Sequence, residues 1–283
     1  MGSFFMPSIY ITKRLVTFTQ MKKNQPIGVF DSGVGGSSTW QEIHKLLPFE
    51  NCIYLADSKN APYGNKSAEE ITALSIKNTE ILIAMGCKII VVACNTATTN
   101  AISTLRTRFN IPIIGIEPAI KPAALKTITK SIGILATKGT LSSALFSKTN
   151  KEFTKDISVV EIIGEGLVPL IEAGNLDSPK MISLLKKFTK PMLAAHIDHL
   201  VLGCSHYPYL IPQLKKILPD TVRIIDSGEA VARQTQAVLQ KNNILNDSTK
   251  APSLQFYTNA KTDTLENLLK DYKGKITIAM KGF

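Results

Sequence analysis

The chain has few cysteines and no pairing pattern among them. Its 283 residues include four cysteines, Cys52, Cys87, Cys94 and Cys204, and none of them forms a C-x-x-C pair. This spacing argues against zinc ribbons and thioredoxin-like redox sites. Cys52 and Cys87 fall in or beside apolar runs and are predicted to be small core residues with reduced thiols.

Long hydrophobic runs are also missing. The longest, KIIVVAC and IDHLVLGC, are far shorter than the ~20 residues of a membrane span, and we expect no membrane partner. Residues 1–25 carry four basic residues and no acid. They lack the continuous apolar region of a secretory signal, so we expect a cytoplasmic protein. This leader is predicted to lie outside the fold; an alternative start, a tag-like extension and a regulatory arm all stay open.

Charge of one sign dominates, with 33 lysines and arginines against 22 acids and a net charge of +11. The basic residues are dispersed in pairs such as Lys186/Lys187 and Lys215/Lys216, without interleaved aromatics. A nucleic-acid-binding surface concentrates basic residues on one face, so these pairs are interpreted as solvated helix faces. We expect no nucleic-acid partner.

Short apolar runs alternate with amphipathic stretches from Ile27 onward. One predicted helix, SAEEITALSIKNTEILIAMG, is opened by Ser67 and closed by Gly86; another, MISLLKKFTKPMLAAHI, follows Ser178-Pro179. Continuously apolar strands alternating with helices predict an α/β fold with mainly parallel sheets flanked by helices. SLQFYTN and DTLENLLKDY predict a strand and a helix that rejoin the first domain. The other predicted strands are 27–30, 52–56, 88–93, 111–116, 131–136, 158–163, 199–203 and 222–226.

The sequence contains an internal repeat. IGVFDSGVGG begins at Ile27 and SIGILATKGT at Ser131, and each is an apolar strand that ends in a small polar turn. An apolar strand ending in a cysteine follows in each half, at Cys94 and at Cys204. The repeat predicts two pseudo-symmetric α/β domains. Because ligands of open α/β sheets lie beyond the carboxyl ends of strands, two such edges facing one another would form a cleft lined by both cysteines.

The glycine-rich turn DSGVGG at 31–36 does not match the dinucleotide or P-loop patterns. It is interpreted as a turn that exposes Asp31 and Ser32 at the mouth of the cleft. Its simpler role, with Asp31 capping the next helix, stays open at this point.

The residues after each cysteine suit amino-acid chemistry. Asn95 and Thr96 follow Cys94 and offer amide and hydroxyl groups to an amino acid's α-carboxylate and ammonium. The start of a helix there would also favour the Cys94 thiolate. Ser205 and His206 follow Cys204, and His206 could polarise the thiol or bind a carboxylate; a packing histidine is the alternative. Two thiols on opposite sides of one carbon are what two-base proton transfer requires.

Six segments follow one another along the chain: VFDSGVGG, APYG, VVACNTATTNAI, GILATKGT, LVPLIEAG and LVLGCSHYP. They extend from about Ile27 to Ser227. In this order they resemble the cofactor-independent aspartate/glutamate racemase family, and the two cysteine motifs together are the most specific part. One departure is Ser205, where threonine is usual after the second cysteine.

The resemblance implies a domain organisation and an activity. Residues 26–118 plus 226–283 would form the first domain, 119–225 the second, and the active site would lie in the cleft between them. The implied reaction is interconversion of L- and D-glutamate without pyridoxal phosphate or another cofactor, supplying D-glutamate for peptidoglycan. No metal is expected, glutamate is the expected partner, and a homodimer is compatible with the family.

The resemblance also assigns roles to residues. Cys94 and Cys204 would be the acid/base thiols, tuned by Asp31 and His206, with Glu172 assisting His206. The residues expected to contact substrate are Asp31, Ser32, Pro62, Tyr63, Gly64, Asn95, Thr96, Thr137, Thr140, Ser205 and His206.

Alternatives remain at this stage. An aspartate or other small amino-acid racemase would share the motifs. The length of the substrate side chain is selected by the shape of the pocket, which is difficult to predict from sequence. A non-catalytic binding protein on the same fold is a second alternative, although all the site residues are intact. A thiol protease would leave Cys204 unexplained. His196 and His199 could bind a metal, but without further ligands nearby they are interpreted as surface histidines at a helix end.

Overall fold

Two parallel β-sheets flanked by helices form the framework of the protein. A computed structural model describes residues 21–283. The first sheet has six strands in the order β10-β9-β2-β1-β3-β4, and the second has four in the order β6-β5-β7-β8. The strands are β1 Ile27–Asp31, β2 Cys52–Ala56, β3 Ile89–Val92, β4 Ile113–Gly115, β5 Ser131–Ala136, β6 Ser158–Ile163, β7 His199–Gly203, β8 Arg223–Ile225, β9 Leu254–Thr258 and β10 Thr277–Met280.

The two sheets repeat one strand order. The series β2-β1-β3-β4 in the first sheet corresponds to β6-β5-β7-β8 in the second. Each strand pair within residues 21–283 is parallel. The predicted fold class, two pseudo-symmetric α/β units with parallel sheets, is confirmed.

Helices begin and end where the local sequence provides capping groups. Ser67 caps α2 and forms a reciprocal capping box with Glu70, and Gly86 follows its end at φ +82. Ser178 caps α8, which starts at Pro179. The helices are α1 Ser37–Leu46, α2 Ala68–Ala84, α3 Asn95–Arg108, α4 Ile120–Lys126, α5 Lys138–Leu141, α6 Ala144–Phe153, α7 Leu167–Glu172, α8 Pro179–Ala194, α9 Ile211–Ile217, α10 Gly228–Lys241 and α11 Asp263–Leu269.

The described chain starts inside the predicted leader. Residues 1–20 lie outside the described residues, so the leader prediction is not tested there. Residues 21–25 contact the folded chain: Met21 packs against the core, and the Lys23 carbonyl accepts a hydrogen bond from Lys88 Nζ at 2.5 Å. At the other end, β9 pairs with β2 and β10 extends the same sheet.

Burial corrects one prediction about histidines. His196 is exposed, but His199 is the first residue of β7 and is 3% exposed. It lies in the interior because both faces of β7 are covered. Cys52 and Cys87 are buried as predicted. Within residues 21–283, no helix combines the length and apolar character needed to cross a membrane.

Candidate active site

A cavity lies where the carboxyl ends of the two sheets face each other, and its empty space together with the solvent at its mouth is about 230 Å³. Both halves of the chain contribute to it, because β1 and β3 end on one side and β5 and β7 on the other. Both predicted acid/base cysteines line it. The full lining is Ser32, Pro62, Tyr63, Gly64, Cys94, Asn95, Thr96, Thr137, Val168, Cys204, Ser205 and His206.

Cys94 occupies the N-cap of α3, directly after β3. The Ala97 N–H donates to its sulfur at 3.4 Å, and the Ser32 hydroxyl lies 3.6 Å away. Burial and the nearby Asp31 charge raise the pKa of Cys94 above its ordinary value, although those two contacts oppose the shift. Burial therefore favours the thiol form of Cys94.

Cys204 follows β7 and has a histidine beside it. His206 Nδ1 lies 3.8 Å from the Cys204 sulfur, and the His206 side chain is 1% exposed. Burial alone would lower the pKa of His206. Hydrogen bonds with Cys204 and Glu172 and the charge of Asp31 outweigh burial and raise this pKa well above its ordinary value. This shift favours the imidazolium form of the ring, which would stabilise negative charge on the Cys204 sulfur.

Glu172, at the end of α7, orients the other side of this ring. Its Oε1 atom lies 2.5 Å from His206 Nε2. Burial would raise the pKa of Glu172, but the hydrogen bond and charge of His206 lower it, as do hydrogen bonds from Val34 N–H and Ser58. The structure therefore pairs a carboxylate with the imidazolium, as the predicted association of Glu172 with His206 requires.

Asp31 lies behind the cavity wall, which differs from its predicted contact with substrate. It is fully buried, accepts a hydrogen bond from the Ser205 hydroxyl at 3.0 Å, and accepts another from Gly36 N–H at 2.8 Å. Burial raises its pKa, and the charge of His206, 3.9 Å away, partly offsets that effect. Asp31 thus acts on the site through its neighbours. The simpler role considered for it is not observed, because Gly36 and not Asp31 is the N-cap of α1.

Two glycines of the DSGVGG turn make room for the His206–Glu172 pair. A Cβ atom added at Gly35 would lie 2.3 Å from His206 Nδ1, and one at Gly33 would lie 1.9 Å from Glu172 Oε1. Real Cβ contacts this short do not occur. The glycines therefore allow the second half of the chain to approach the first at the site.

Hydroxyl groups join the two halves on the Cys94 side. Thr96 Oγ1 lies 2.8 Å from Thr137 Oγ1 and 3.2 Å from Thr140 Oγ1. Thr140 is fully buried behind this pair and is absent from the cavity lining. Asn95 lines the cavity, and neither its amide nitrogen nor its amide oxygen has a partner. Both amide atoms are thus available to a ligand.

The segment APYG supplies one wall. A cis peptide bond precedes Pro62, and the Tyr63 hydroxyl donates to Asp57 at 2.5 Å. Asp57 and the lining residue Val168 were not among the predicted site residues. Val168 lies inside the LVPLIEAG segment and was not predicted, because an apolar side chain does not indicate a catalytic or binding role.

The described chain was compared with two kinds of cofactor site, a metal site and a lysine that binds a cofactor covalently. Residues 21–283 contain no group of three or more His, Cys, Asp or Glu side chains that could hold a metal ion. The residues lining the cavity include no lysine that could form a Schiff base.

Comparison with known families agrees with this geometry. The model of the Asp/Glu/hydantoin racemase family matches residues 27–235, which is most of the chain. The chain belongs to this racemase family. Both cysteines that line the cavity, one from each repeated half, lie within the matched region.

Curated relatives and solved structures extend the match to most of this racemase. A glutamate racemase of Ectopseudomonas mendocina is 49% identical over 78% of this chain and 84% of its own length. One from Herpetosiphon aurantiacus is 45% identical over 83% and 93%. The crystal structure of a Bacillus anthracis glutamate racemase has a TM-score of 0.82 and 32% identity, covering 92% of this chain and 98% of that one.

Another similar structure is a complex. The Escherichia coli glutamate racemase, solved with L-glutamate and the activator UDP-MurNAc-ala, has a TM-score of 0.80 and 33% identity. The match covers 91% of this racemase and 98% of that chain. This agreement over nearly the whole length bears out the predicted fold as well as the predicted family.

Proposed function

We propose that this racemase interconverts L- and D-glutamate by proton transfer at the α-carbon between two cysteines. The observation that carries the proposal is that Cys94 and Cys204, from opposite halves of the chain, line one cavity. The relatives quoted above are named glutamate racemases, and one of them was solved with L-glutamate. In the cell, the reaction would supply D-glutamate for peptidoglycan from the cytoplasm.

The chemistry explains why two thiols are needed. Removal of the α-proton leaves a carbanion, and a single base can return the proton only to the face from which it came. In the proposed cycle, the Cys204 thiolate takes the proton from one face as the C–H bond breaks. The Cys94 thiol gives its proton to the other face, which leaves Cys94 as the thiolate and Cys204 as the thiol. The opposite enantiomer reverses these roles.

The charge states of the free site suit this cycle. Burial keeps Cys94 as a thiol, and the His206 imidazolium lies beside Cys204. The two thiols therefore begin in unequal surroundings, which allows one to accept a proton while the other donates.

The developing negative charge also needs donors around the substrate carboxylate. Asn95 and Thr96 open α3, and the N-terminus of that helix directs N–H groups and a positive dipole end toward the cavity. Ser32, Thr137 and Ser205 add hydroxyl groups. In a cavity closed to water, such preorganised donors stabilise charge more strongly than they would in solution. We assign substrate binding to these residues and to the wall formed by Pro62, Tyr63 and Gly64.

We also propose the domain division 26–118 plus 226–283 and 119–225. It is supported by the pairing of β9 with β2 and by the packing of α10 against α1. A homodimer stays a prediction.

The mechanism is tested by racemisation of L-glutamate in D₂O without added cofactor. We expect D-glutamate with deuterium at the α-carbon, while the L-glutamate recovered at early conversion stays protiated, because different thiols hold the two protons. Equal deuterium in product and recovered substrate would indicate a single base. A parallel polarimetric assay with L-aspartate tests the other candidate substrate, and faster turnover of aspartate would reassign the substrate.

The four cysteines provide a matched set of variants. Cys94→Ala and Cys204→Ala should each reduce kcat for racemisation by about 100-fold or more, since each removes an acid/base group. Cys52→Ala and Cys87→Ala remove buried thiols outside the cavity and should keep kcat close to the native value. Near-native turnover in either cavity variant would exclude that thiol as a base.

A further inference from the structure

Glu172 is held by three donors from separate segments of the chain. Val34 N–H donates to Oε1 at 2.8 Å, and the Ser58 hydroxyl donates to Oε2 at 2.9 Å. The Thr264 hydroxyl donates to the main-chain carbonyl of Glu172 at 2.7 Å. We call these donors the Glu172 clamp. Together they restrain both the carboxylate and the backbone of the residue.

The clamp connects to the reacting sulfur through one further side chain. Glu172 Oε1 contacts His206 Nε2 at 2.5 Å, and His206 Nδ1 lies 3.8 Å from the Cys204 sulfur. Since both ring nitrogens are engaged, the position of the carboxylate determines the orientation of the imidazole. A displacement of Glu172 would therefore change the contact between His206 and Cys204.

Ser58 and Thr264 do not touch the cavity. Neither belongs to its lining, and Thr264 lies in α11, which follows the region matched by the family model. Glu172 is the residue that both hydroxyls contact, so it provides their shared route to the site.

We propose that Ser58 and Thr264 are positioning residues that hold Glu172 and His206 in the arrangement needed for proton transfer at Cys204. The proposal depends on the racemase activity proposed above. It gives the C-terminal segment, whose sequence carries no chemical motif, a part in the active site.

A purely structural role would have a different signature. Ser58 begins a 3₁₀ turn, and α11 buries Leu265 and Leu269. Loss of a hydroxyl there could loosen the fold without any particular effect at Cys204. The experiment must therefore separate an effect on one thiol from a general loss of native protein.

The variants are Ser58→Ala, Thr264→Val and their combination. Thr235→Val is the matched control, because Thr235 is a fully buried threonine that donates to Val231 within α10. Thr264→Ser restores a hydroxyl and should recover most of the activity lost in Thr264→Val. The combined variant should lose about 10- to 100-fold in kcat, the scale expected when a catalytic group is misplaced. Its KM for glutamate should stay within about twofold, because the clamp does not contact the cavity.

Substrate isotope effects identify the affected thiol. With α-deuterated L- and D-glutamate, slower transfer at Cys204 should raise the isotope effect on kcat/KM for the enantiomer that Cys204 deprotonates. It should lower the effect for the other enantiomer, and Thr235→Val should change neither. Equal changes for both enantiomers, or failure of Thr264→Ser to recover activity, would overturn the proposal.

A second measurement does not require turnover. The His206 imidazole is followed by NMR as a function of pH, with the signal assigned by its loss in His206→Gln. The charged or titratable groups facing this ring are Cys204, Asp31 and Glu172. A loosened Glu172 should lower the His206 titration midpoint in the clamp variants but not in Thr235→Val, and an unchanged midpoint would overturn the proposal. The two proposals can also fail separately. If the native protein does not racemise glutamate but the clamp variants still lower the His206 midpoint, the clamp is supported and the proposed function is rejected.

Discussion

At the scale of single residues, the site depends on two glycines whose lack of a side chain leaves room for catalytic groups. Gly33 and Gly35 leave the space that Glu172 and His206 occupy. We predict that Gly33→Ala and Gly35→Ala each reduce kcat for racemisation by about 100-fold, because a displaced catalytic group costs roughly that much. Steady-state assays of purified variants provide the measurement, and Gly282→Ala, whose added Cβ meets nothing within 4 Å, is the control.

The two glycine variants should differ in stability. The Glu172 side chain is 16% exposed and can rotate away from an alanine at position 33, whereas His206 is almost fully buried and has no such freedom. Urea denaturation should therefore show a larger loss of unfolding free energy for Gly35→Ala than for Gly33→Ala. The opposite order would mean that His206 relocates more easily than its burial indicates.

The charge on His206 gives a prediction for pH. Its pKa is raised in the folded protein, so its stabilising contribution is complete below the unfolded pKa of about 6.5 and is lost as pH rises through the folded value. The difference in unfolding free energy between native protein and His206→Gln should therefore be largest near or below pH ~6.5 and shrink on the alkaline side. Urea titrations at a series of pH values test this, and a difference that is constant with pH would contradict it.

The sequence predicted which residues lie near the site better than it predicted how deeply each of them is buried. The strand-end pattern identified Cys94 and Cys204, and both line the cavity. Asp31 and Thr140 belong to the strand-end turns DSGVGG and ATKGT, yet both are buried behind the residues that line the cavity. A motif records proximity along the chain, whereas depth depends on packing between the two halves. Val168 was missed for the converse reason, because an apolar residue in a helix resembles any other core residue.

At the scale of secondary structure, buried strands were the clearest signal. The strands of the repeated order are mainly apolar, although β6 contains Glu161 and β8 contains Arg223. They fall within the predicted ranges, except that β1 extends one residue further, to Asp31. The edge strand β10 was missed because it has four residues, alternates little in burial and gains its pairing only from β9. The start of β7 at His199 was predicted correctly, but the burial of its side chain was not, because a histidine at the first position of a strand gives no sign of which neighbours cover it. Local sequence patterns thus predict the central strands of a sheet well and its edge strands poorly.

Helix α2 allows a test at this scale. Ser67 caps it with a reciprocal bond to Glu70, and both groups are exposed. Ser67→Ala should lower the unfolding free energy by about 1 kcal/mol, the usual contribution of an N-cap, without changing kcat. Ser103→Ala, at an exposed position within α3, is the control, because alanine suits a helix interior. Equal stability of the two variants in urea would show that the capping box contributes little.

At the scale of the whole molecule, the repeat explains why two thiols can meet. In each four-strand series the third strand, β3 or β7, leads into a cysteine, so two similar halves placed face to face deliver one sulfur to each side of a cavity. The facing arrangement depends on contacts between the halves, including Thr96 with Thr137 and Asn100 with the Gly139 carbonyl. The sequence predicted the two halves, but these contacts are too distant along the chain to be read from local patterns.

Distant segments of the first-sheet half are also joined by one buried ion pair. Lys88 lies just before β3, is fully buried, and donates to Glu50 at 2.6 Å. It also donates to the carbonyl groups of Lys23 and Ile244 at 2.5 and 2.9 Å. One ammonium group thus connects the start of the described chain, the segment before β2 and the residues after α10.

Removing one partner of this pair should be more harmful than removing both. Lys88→Met leaves the Glu50 carboxylate buried without its cation and should cost about 3–5 kcal/mol of unfolding free energy. Lys88→Met with Glu50→Met should recover much of that loss, since an apolar pair of similar size needs no charge compensation. Burial already raises the pKa of Glu50, so in the single variant a protonated Glu50 favours the folded state and the deficit should grow as pH rises above about 4.5. Urea denaturation across that range measures both effects, and a double variant no more stable than the single one would show that Lys88 acts through the two carbonyl groups instead.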